Sequence, residues 1–241
     1  MLYAVISDVH SNLEALNAVI EDIRKRDIEK ILFLGDAVGY GPNPNECIEL
    51  LKKECLVLLA GNHDRAVTGD TPLEYFNENA GAAVQWTIEH ITGGNLELLG
   101  KLDILKVMEE DNLCLVHSTP KEPDAWHYIF TLKDAGVNFH YFEQKICLVG
   151  HSHTPFIVDK HPSGELILYK NRETFSEAAR YIINAGSVGQ PRDRDPRAAY
   201  AVLTSGEVEI IRIDYDFRET QGKMREAGLP GFLIERLEKG I

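Results

Sequence analysis

Positive charge is scarce in this sequence: 25 Lys and Arg stand against 38 Asp and Glu over 241 residues, a formal net charge of -13. Binding along an extended polyanion needs Lys and Arg to replace condensed counterions. A nucleic-acid-wrapping role is therefore excluded, and a nonspecific nuclease is disfavoured. No run of about 18 apolar residues occurs, which argues against a membrane span. The chain opens directly on a strand-like segment, with no charged region leading into an apolar signal segment, so a cytoplasmic location is expected. Cysteine is also sparse. Cys47, Cys55, Cys114 and Cys147 lie in or beside apolar segments without Cys-x-x-Cys spacing, and they read as reduced core residues, not as zinc or redox ligands. No repeat, low-complexity tract or linker divides the chain, so one domain over residues 1–241 is expected.

What is present is an alternation of strand and helix signals. Leu2 to Ile6 is an apolar run with the Val/Ile content of a buried strand. Ser11-x-x-Glu14 has the form of a capping box, and Leu13, Leu16, Val19, Ile20 and Ile23 then recur at helical spacing down to Lys25. Ile31 to Leu34 predicts the next strand. After it Asn43, Pro44 and Glu46 open a helix through Leu50 and Leu51 to Lys53, and Leu56 to Ala60 predicts the third strand. This β-α-β-α-β order implies a parallel sheet with right-handed crossovers. Thr71 to Leu102 reads as a helical flank outside the site, started by Thr71-Pro72-x-Glu74 and broken at Gly93-Gly94. Ile104–Met108 and Leu113–Val116 suggest a hairpin, Ile146–Val149 a buried strand, and Phe156–Asp159 with Leu166–Tyr169 and Ala199–Leu203 with Val208–Ile213 two further β pairs. Residues from Thr119 to Phe142 have no clear period. A helical tail is expected from Phe217 to Ile241.

Each predicted strand ends in oxygen or imidazole donors. Asp8 and His10 follow the first, Asp36 the second, Asn62 the third, His117 the hairpin, and His151 and His153 the strand at Ile146–Val149. Ligands of parallel sheets bind beyond the carboxyl ends of the strands, so these clusters should share one crevice. Hard oxygens with borderline imidazoles form a metal-site inventory. If Asp36 bridges two divalent ions, then Asp8, His10 and His153 complete one and Asn62, His117 and His151 the other. Open positions and a net positive field would then suit an anionic substrate.

Asp8-x-His10, Gly35-Asp36, Gly61-Asn62-His63-Asp64, a lone His117 and Gly150-His151-x-His153, in this order and at these separations, resemble the calcineurin-like metallophosphoesterase superfamily over most of the chain. Gly186-Ser187-Val188-Gly189-Gln190-Pro191-Arg192, after a strand at Tyr181–Asn184, resembles its small prokaryotic phosphoesterase branch. The resemblance implies an α/β fold of the four-layer α/β/β/α sandwich type, with the seven residues above as metal ligands. It implies two divalent ions, Mn, Fe, Zn or Ni, with Mn favoured for activity. It also implies hydrolysis of phosphodiester, phosphomonoester or nucleotide phosphoanhydride bonds of a small phosphorylated substrate by a metal-bridging hydroxide. His63 is then the group that contacts the phosphate and protonates the leaving oxygen. A second class of function is a non-catalytic metal-binding scaffold or interaction module of the same fold.

Departures from the pattern shape the remaining expectations. Protein-phosphatase members carry an Asp-Arg pair where this chain has Gly39-Tyr40, so a phosphodiesterase is favoured over a protein phosphatase. Arg65 and Arg192 are candidates for the missing phosphate-binding charge, or are surface salt-bridge partners. Tyr40 either stacks on substrate or packs its loop, and Asp64 either orients His63 or caps the following helix. His127, beside Trp126, is the best pocket candidate among the remaining histidines. Helical surfaces leave a homo-oligomer open.

Overall fold

The computed structural model describes residues 1–241. Its first half follows the alternation read from the sequence: β1 (Leu2–Ile6), α1 (Leu13–Lys25), β2 (Ile31–Phe33), α2 (Pro44–Glu54) and β3 (Cys55–Leu58), with β1, β2 and β3 parallel neighbours. Then come three helices, α3 (Asn62–Val67), α4 (Glu78–His90) and α5 (Gly93–Lys101), and the antiparallel hairpin of β4 (Leu105–Met108) and β5 (Leu113–Val116). Next are α6 (Leu132–Asn138), β6 (Ile146–Val149), β7 (Phe156–Lys160), β8 (Leu166–Tyr169), β9 (Arg172–Thr174) and β10 (Arg180–Asn184). The hairpin of β11 (Ala198–Thr204) and β12 (Glu207–Ile213) precedes α7 (Phe217–Glu226) and α8 (Gly231–Arg236).

Two six-stranded sheets result, ordered β3-β2-β1-β11-β12-β9 and β4-β5-β6-β10-β7-β8. The parallel strands and the hairpins are not segregated into halves. The β11–β12 hairpin returns to pair antiparallel with β1, and β10 runs parallel beside β6. Strand alternation then builds the layers. In β1, Ala4 and Ile6 face α1 and α2, while Tyr3 and Val5 face the other sheet; in β2, Ile31 and Phe33 divide from Leu32 and Leu34 in the same way. In β6, Ile146 and Leu148 join the layer between the sheets, and Cys147 and Val149 pack outward with Phe139 beside α6. The fold is thus the expected α/β/β/α sandwich. No helix is long and apolar enough to cross a membrane.

Local signals were displaced in a few places. Asn12, not Ser11, caps α1, its Oδ1 accepting from Ala15 N at 3.2 Å, while Glu14 turns away to Lys223 and Thr220 of α7. Gly93-Gly94 opens α5 behind a Thr92 cap instead of ending a helix, and Asn77, not Thr71, caps α4. The tail is helical and docks through Met224, Leu229, Leu233 and Ile234 onto Tyr40 and Ala80.

Candidate metal centre

The loops that leave β1, β2, β3, β5 and β6 converge at one rim of the sandwich. Asp8, His10, Asp36, His151 and His153 all adopt left-handed backbone, with φ between 49° and 64°. Such conformations cost about 1–3 kcal/mol each for a residue with a Cβ and persist only where the surroundings impose them. Here the backbone is pinned: Asp8 N donates to Gly35 O and His10 N to Asp36 O, both at 3.0 Å, and Ser187 Oγ and Gly189 N hold Asp8 O at 2.8 and 2.9 Å. Glycine permits the close approach. A Cβ on Gly61 would lie 2.1 Å from Asp36 Oδ1, and one on Gly150 2.0 Å from Ser7 Oγ.

Each carboxylate is anchored by one oxygen and free at the other. Asp8 Oδ2 accepts from His151 N at 3.0 Å and Asp36 Oδ1 from His63 N at 2.9 Å, whereas Asp8 Oδ1, Asp36 Oδ2 and Asn62 Oδ1 are buried without a partner. The imidazoles show the same division. His10 Nδ1 donates to Val38 O at 2.9 Å, His153 Nδ1 to Gln190 O at 2.6 Å, His117 Nδ1 to Leu34 O at 3.1 Å and His151 Nε2 to Trp126 O at 2.9 Å. A carbonyl only accepts, so each of these nitrogens carries a proton, and the inward-facing nitrogens of the neutral rings offer lone pairs. Those of His10 and His153 lie 3.1 Å apart. His153 Nε2 is 3.3 Å from Asp8 Oδ1, His10 Nε2 3.6 Å from Asp36 Oδ2, and His117 Nε2 3.3 Å from Asp36 Oδ2.

Lone pairs so close repel one another unless a cation lies among them, and orphaned buried oxygens are costly. Three groups have metal-site spacing, Asp8 with His10 and His153, Asp36 with His117 and His151, and His10 with Asp36 and His63. The residues therefore fit divalent ions, and a second contact shell of backbone carbonyls orients the rings. Protonation behaviour agrees. Burial pushes Asp8 up to about 6 and holds His10, His151 and His153 below the ordinary imidazole range. His117 is the exception: burial opposes its charge, but the adjacent Asp36 carboxylate prevails and raises it to about 9.

His63 lies beside this cluster on the crevice wall. Its ring meets His10 at 4.7 Å and Phe76 at 4.9 Å between centroids, its Nδ1 has no partner, and burial lowers it to about 4. Asp64 makes no hydrogen bond to the His63 ring. Its carboxylate instead accepts from the backbone N–H of Asp36, Ala37, Val38 and Gly61, tying the β2 loop to the first turn of α3. Burial and Asp36 raise it to about 7 against these four donors. Arg65 points away from the crevice, to Leu102 O at 2.5 Å, Gly100 O and Asp70. Arg192 points into it, with Nη2 3.2 Å from Tyr40 Oη and 2.9 Å from Gln190 Oε1. Tyr40 is buried between the His10 and His63 rings, 4.5 Å from each.

The crevice in front of the cluster has a volume of about 780 Å³. Three parts of its lining depart from the sequence expectations. His127 faces solvent near Glu122, and its neighbours Trp126 and Tyr128 line the crevice instead, Tyr128 stacked on His151 at 4.0 Å. The flank expected to lie outside the site contributes Thr71, Tyr75 and Phe76. The C-terminal tail contributes Phe232 and Arg236, which no local pattern marked, because only docking onto Tyr40 and α4 brings them there.

A family model described as a calcineurin-like phosphoesterase superfamily domain matches residues 1–207. An uncharacterised protein of Methanocaldococcus jannaschii is 42% identical over 245 residues, spanning 99% of this chain and 98% of its own length. The crystal structure of a metallophosphoesterase from Sphaerobacter thermophilus superposes with a TM-score of 0.87 at 39% identity, covering 100% of this chain and 99% of that one. A hypothetical protein from Pyrococcus horikoshii shares the fold, with a TM-score of 0.80 at 22% identity over 100% and 98% of the two chains.

Proposed function

The chain belongs to the calcineurin-like phosphoesterase superfamily, and on that premise we propose that it is a two-ion hydrolase of small phosphate esters, with phosphodiesters favoured over phosphoproteins. The observation that carries this reading is the set of buried lone pairs aimed at common points: Asp8 Oδ1, Asp36 Oδ2 and Asn62 Oδ1 without partners, and His10 Nε2 facing His153 Nε2 at 3.1 Å. Asp8, His10 and His153 would hold one ion, Asn62, His117 and His151 the other, and Asp36 both. When bound, the ions neutralise phosphoryl oxygens and lower the pKa of coordinated water. Mn is the favoured metal and the cytoplasm the favoured location, with residues 1–241 acting as one domain.

The chain's own side chains do the rest. The crevice has the volume of a small-molecule site, and Tyr40, Phe76, Trp126 and Tyr128 line it with aromatic surface that displaces water from a bound ester. An alkoxide leaving group needs a proton, and His63 is an imidazole that lines the crevice without belonging to the proposed ligand set. Arg192, turned into the crevice, offers positive charge to an anionic substrate, while Arg65, engaged on α5, serves structure. Gly39 leaves room for the His63 ring; a Cβ there would lie 2.4 Å from His63 Nδ1. A side chain at position 39, such as the Asp of phosphoprotein phosphatases, would displace the His63 ring from this position.

Steady-state hydrolysis of bis-p-nitrophenyl phosphate and p-nitrophenyl phosphate tests the reading, using metal-stripped protein resupplied with Mn²⁺ and an Asn62→Ala control. Metal-restored turnover of the diester, lost in the control, is expected. Faster turnover of the monoester would reverse the preference. No turnover of either would overturn the hydrolase.

A further inference from the structure

We infer that Arg192 and Arg236 form a subsite for a second phosphoryl group, so that the physiological substrate carries another phosphate beside the one hydrolysed. The inference rests on the phosphoesterase reading and adds to it a substrate class, phosphoanhydride-bearing small molecules.

In a chain of net charge -13, arginines find carboxylates easily. Arg24 pairs with Glu54, Arg26 with Asp22, Arg172 with Glu207, Arg197 with Asp195 and Arg212 with Asp193. Arg180, Arg192, Arg194, Arg218, Arg225 and Arg236 pair with no Asp or Glu side chain, and of these Arg192 and Arg236, both partly buried, line this crevice. Two carboxylates also border it: Asp70, already engaged by Arg65 and Thr68, and the exposed Asp124. Arg192 donates only to neutral oxygens, Gln190 Oε1 and Tyr40 Oη. Arg236 donates through Nε to the main-chain oxygen of Ile241, which leaves both terminal nitrogens without an acceptor. Burial, and after it the charge of Arg192, lowers Arg236 to about 10. Two guanidinium groups that line one crevice and keep donors unused are suited to an anion, which they can grip by paired N–H···O bonds.

The tail is also built to hold Arg236 in place. Gln221 Nε2 of α7 donates to Ile234 O at 2.8 Å, Lys223 pairs with Glu14 of α1, and Arg194 N donates to Gly240 O at 2.7 Å. Arg236 lies on α8, beyond the residues that the family model matches. The Arg pair shares its crevice with His63 and His151. A phosphate at the ions and a second at the arginines thus occupy one connected space.

Calorimetric titration of Mn²⁺-loaded protein, dialysed free of excess metal, with inorganic phosphate and with pyrophosphate tests this. Wild type should bind pyrophosphate about ten-fold or more tightly than phosphate, as charge-assisted hydrogen bonds would give. In Arg236→Ala that ratio should collapse toward one, and in Arg236→Lys it should be intermediate, with unchanged circular dichroism reporting intact folding. A ratio that persists in Arg236→Ala, or that is absent from wild type, overturns the subsite. Turnover of bis-p-nitrophenyl phosphate is measured in parallel. Turnover with an insensitive ratio sinks the subsite alone, whereas a sensitive ratio without turnover sinks the hydrolase and leaves an anion-binding site.

Discussion

His63 is the residue on which chemistry and metal binding separate most cleanly. It lies against the candidate ligand His10 at 4.7 Å, yet its own Nδ1 has no partner. His63→Ala should keep the bound metal, read by elemental analysis, and lose roughly 10²-fold or more in kcat on an alkyl phosphate ester. Undiminished turnover would remove His63 from the reaction. The convergence of Asp8, His10, Asp36, Asn62, His117, His151 and His153 was legible in the sequence, since each follows an apolar run and strand ends of a parallel sheet share a rim. Their left-handed backbone was not, because only their neighbours impose it. The choice of His127 missed by one position: Trp126 takes φ 54°, which breaks the extended path and turns Tyr128 toward His151. Arg65 and Arg192 looked alike in sequence, and only the tertiary partners of each, carbonyls of α5 for one and Tyr40 for the other, separate them.

Between β3 and α3, one glycine sets how closely two ligand-bearing loops approach. A Cβ on Gly61 would meet Asp36 Oδ1 at 2.1 Å and Asp36 N at 2.7 Å, and Asp36 cannot retreat while its Oδ1 holds His63 N. Gly61→Ala should therefore cost about 1–3 kcal/mol, the usual range for overpacking, seen as a lower urea midpoint at unchanged slope, together with reduced metal content. An unchanged midpoint would mean that the turn has slack. Most elements were readable from period and punctuation; the exceptions are instructive. Ser11 is drawn into the site loop by its own N–H bond to Ala37 O at 2.9 Å, so the capping position passes to Asn12. The three residues of β9 lack an apolar run and form a strand only by adding to the edge of β12.

Buried carboxylates and facing lone pairs make the whole fold sensitive to its ions. Removing metal should lower the thermal midpoint. At an ion concentration 100-fold above Kd one site contributes about 2.7 kcal/mol, roughly 5–10 °C for a chain of this length. Scanning calorimetry of stripped and Mn²⁺-restored protein reads the shift, and identical midpoints would refute ion binding by the native state. At this scale the parallel half was legible and the closure of the sandwich was not. Pairings such as Leu2 with Thr204 join residues with no local signature of each other, so the sequence named no antiparallel partner for β1. That pairing also sets an order of assembly in the cell. At about 5–20 residues per second of synthesis, β1 waits roughly 10–40 s on the ribosome before β11 exists to cover its free edge. The seven candidate ligands are all made once His153 is added, whereas Ser187 and Gly189, which hold Asp8 O, follow only shortly before β11. The nascent chain thus holds all its candidate ligands before it holds the backbone that fixes Asp8, and the geometry of the site closes late in folding.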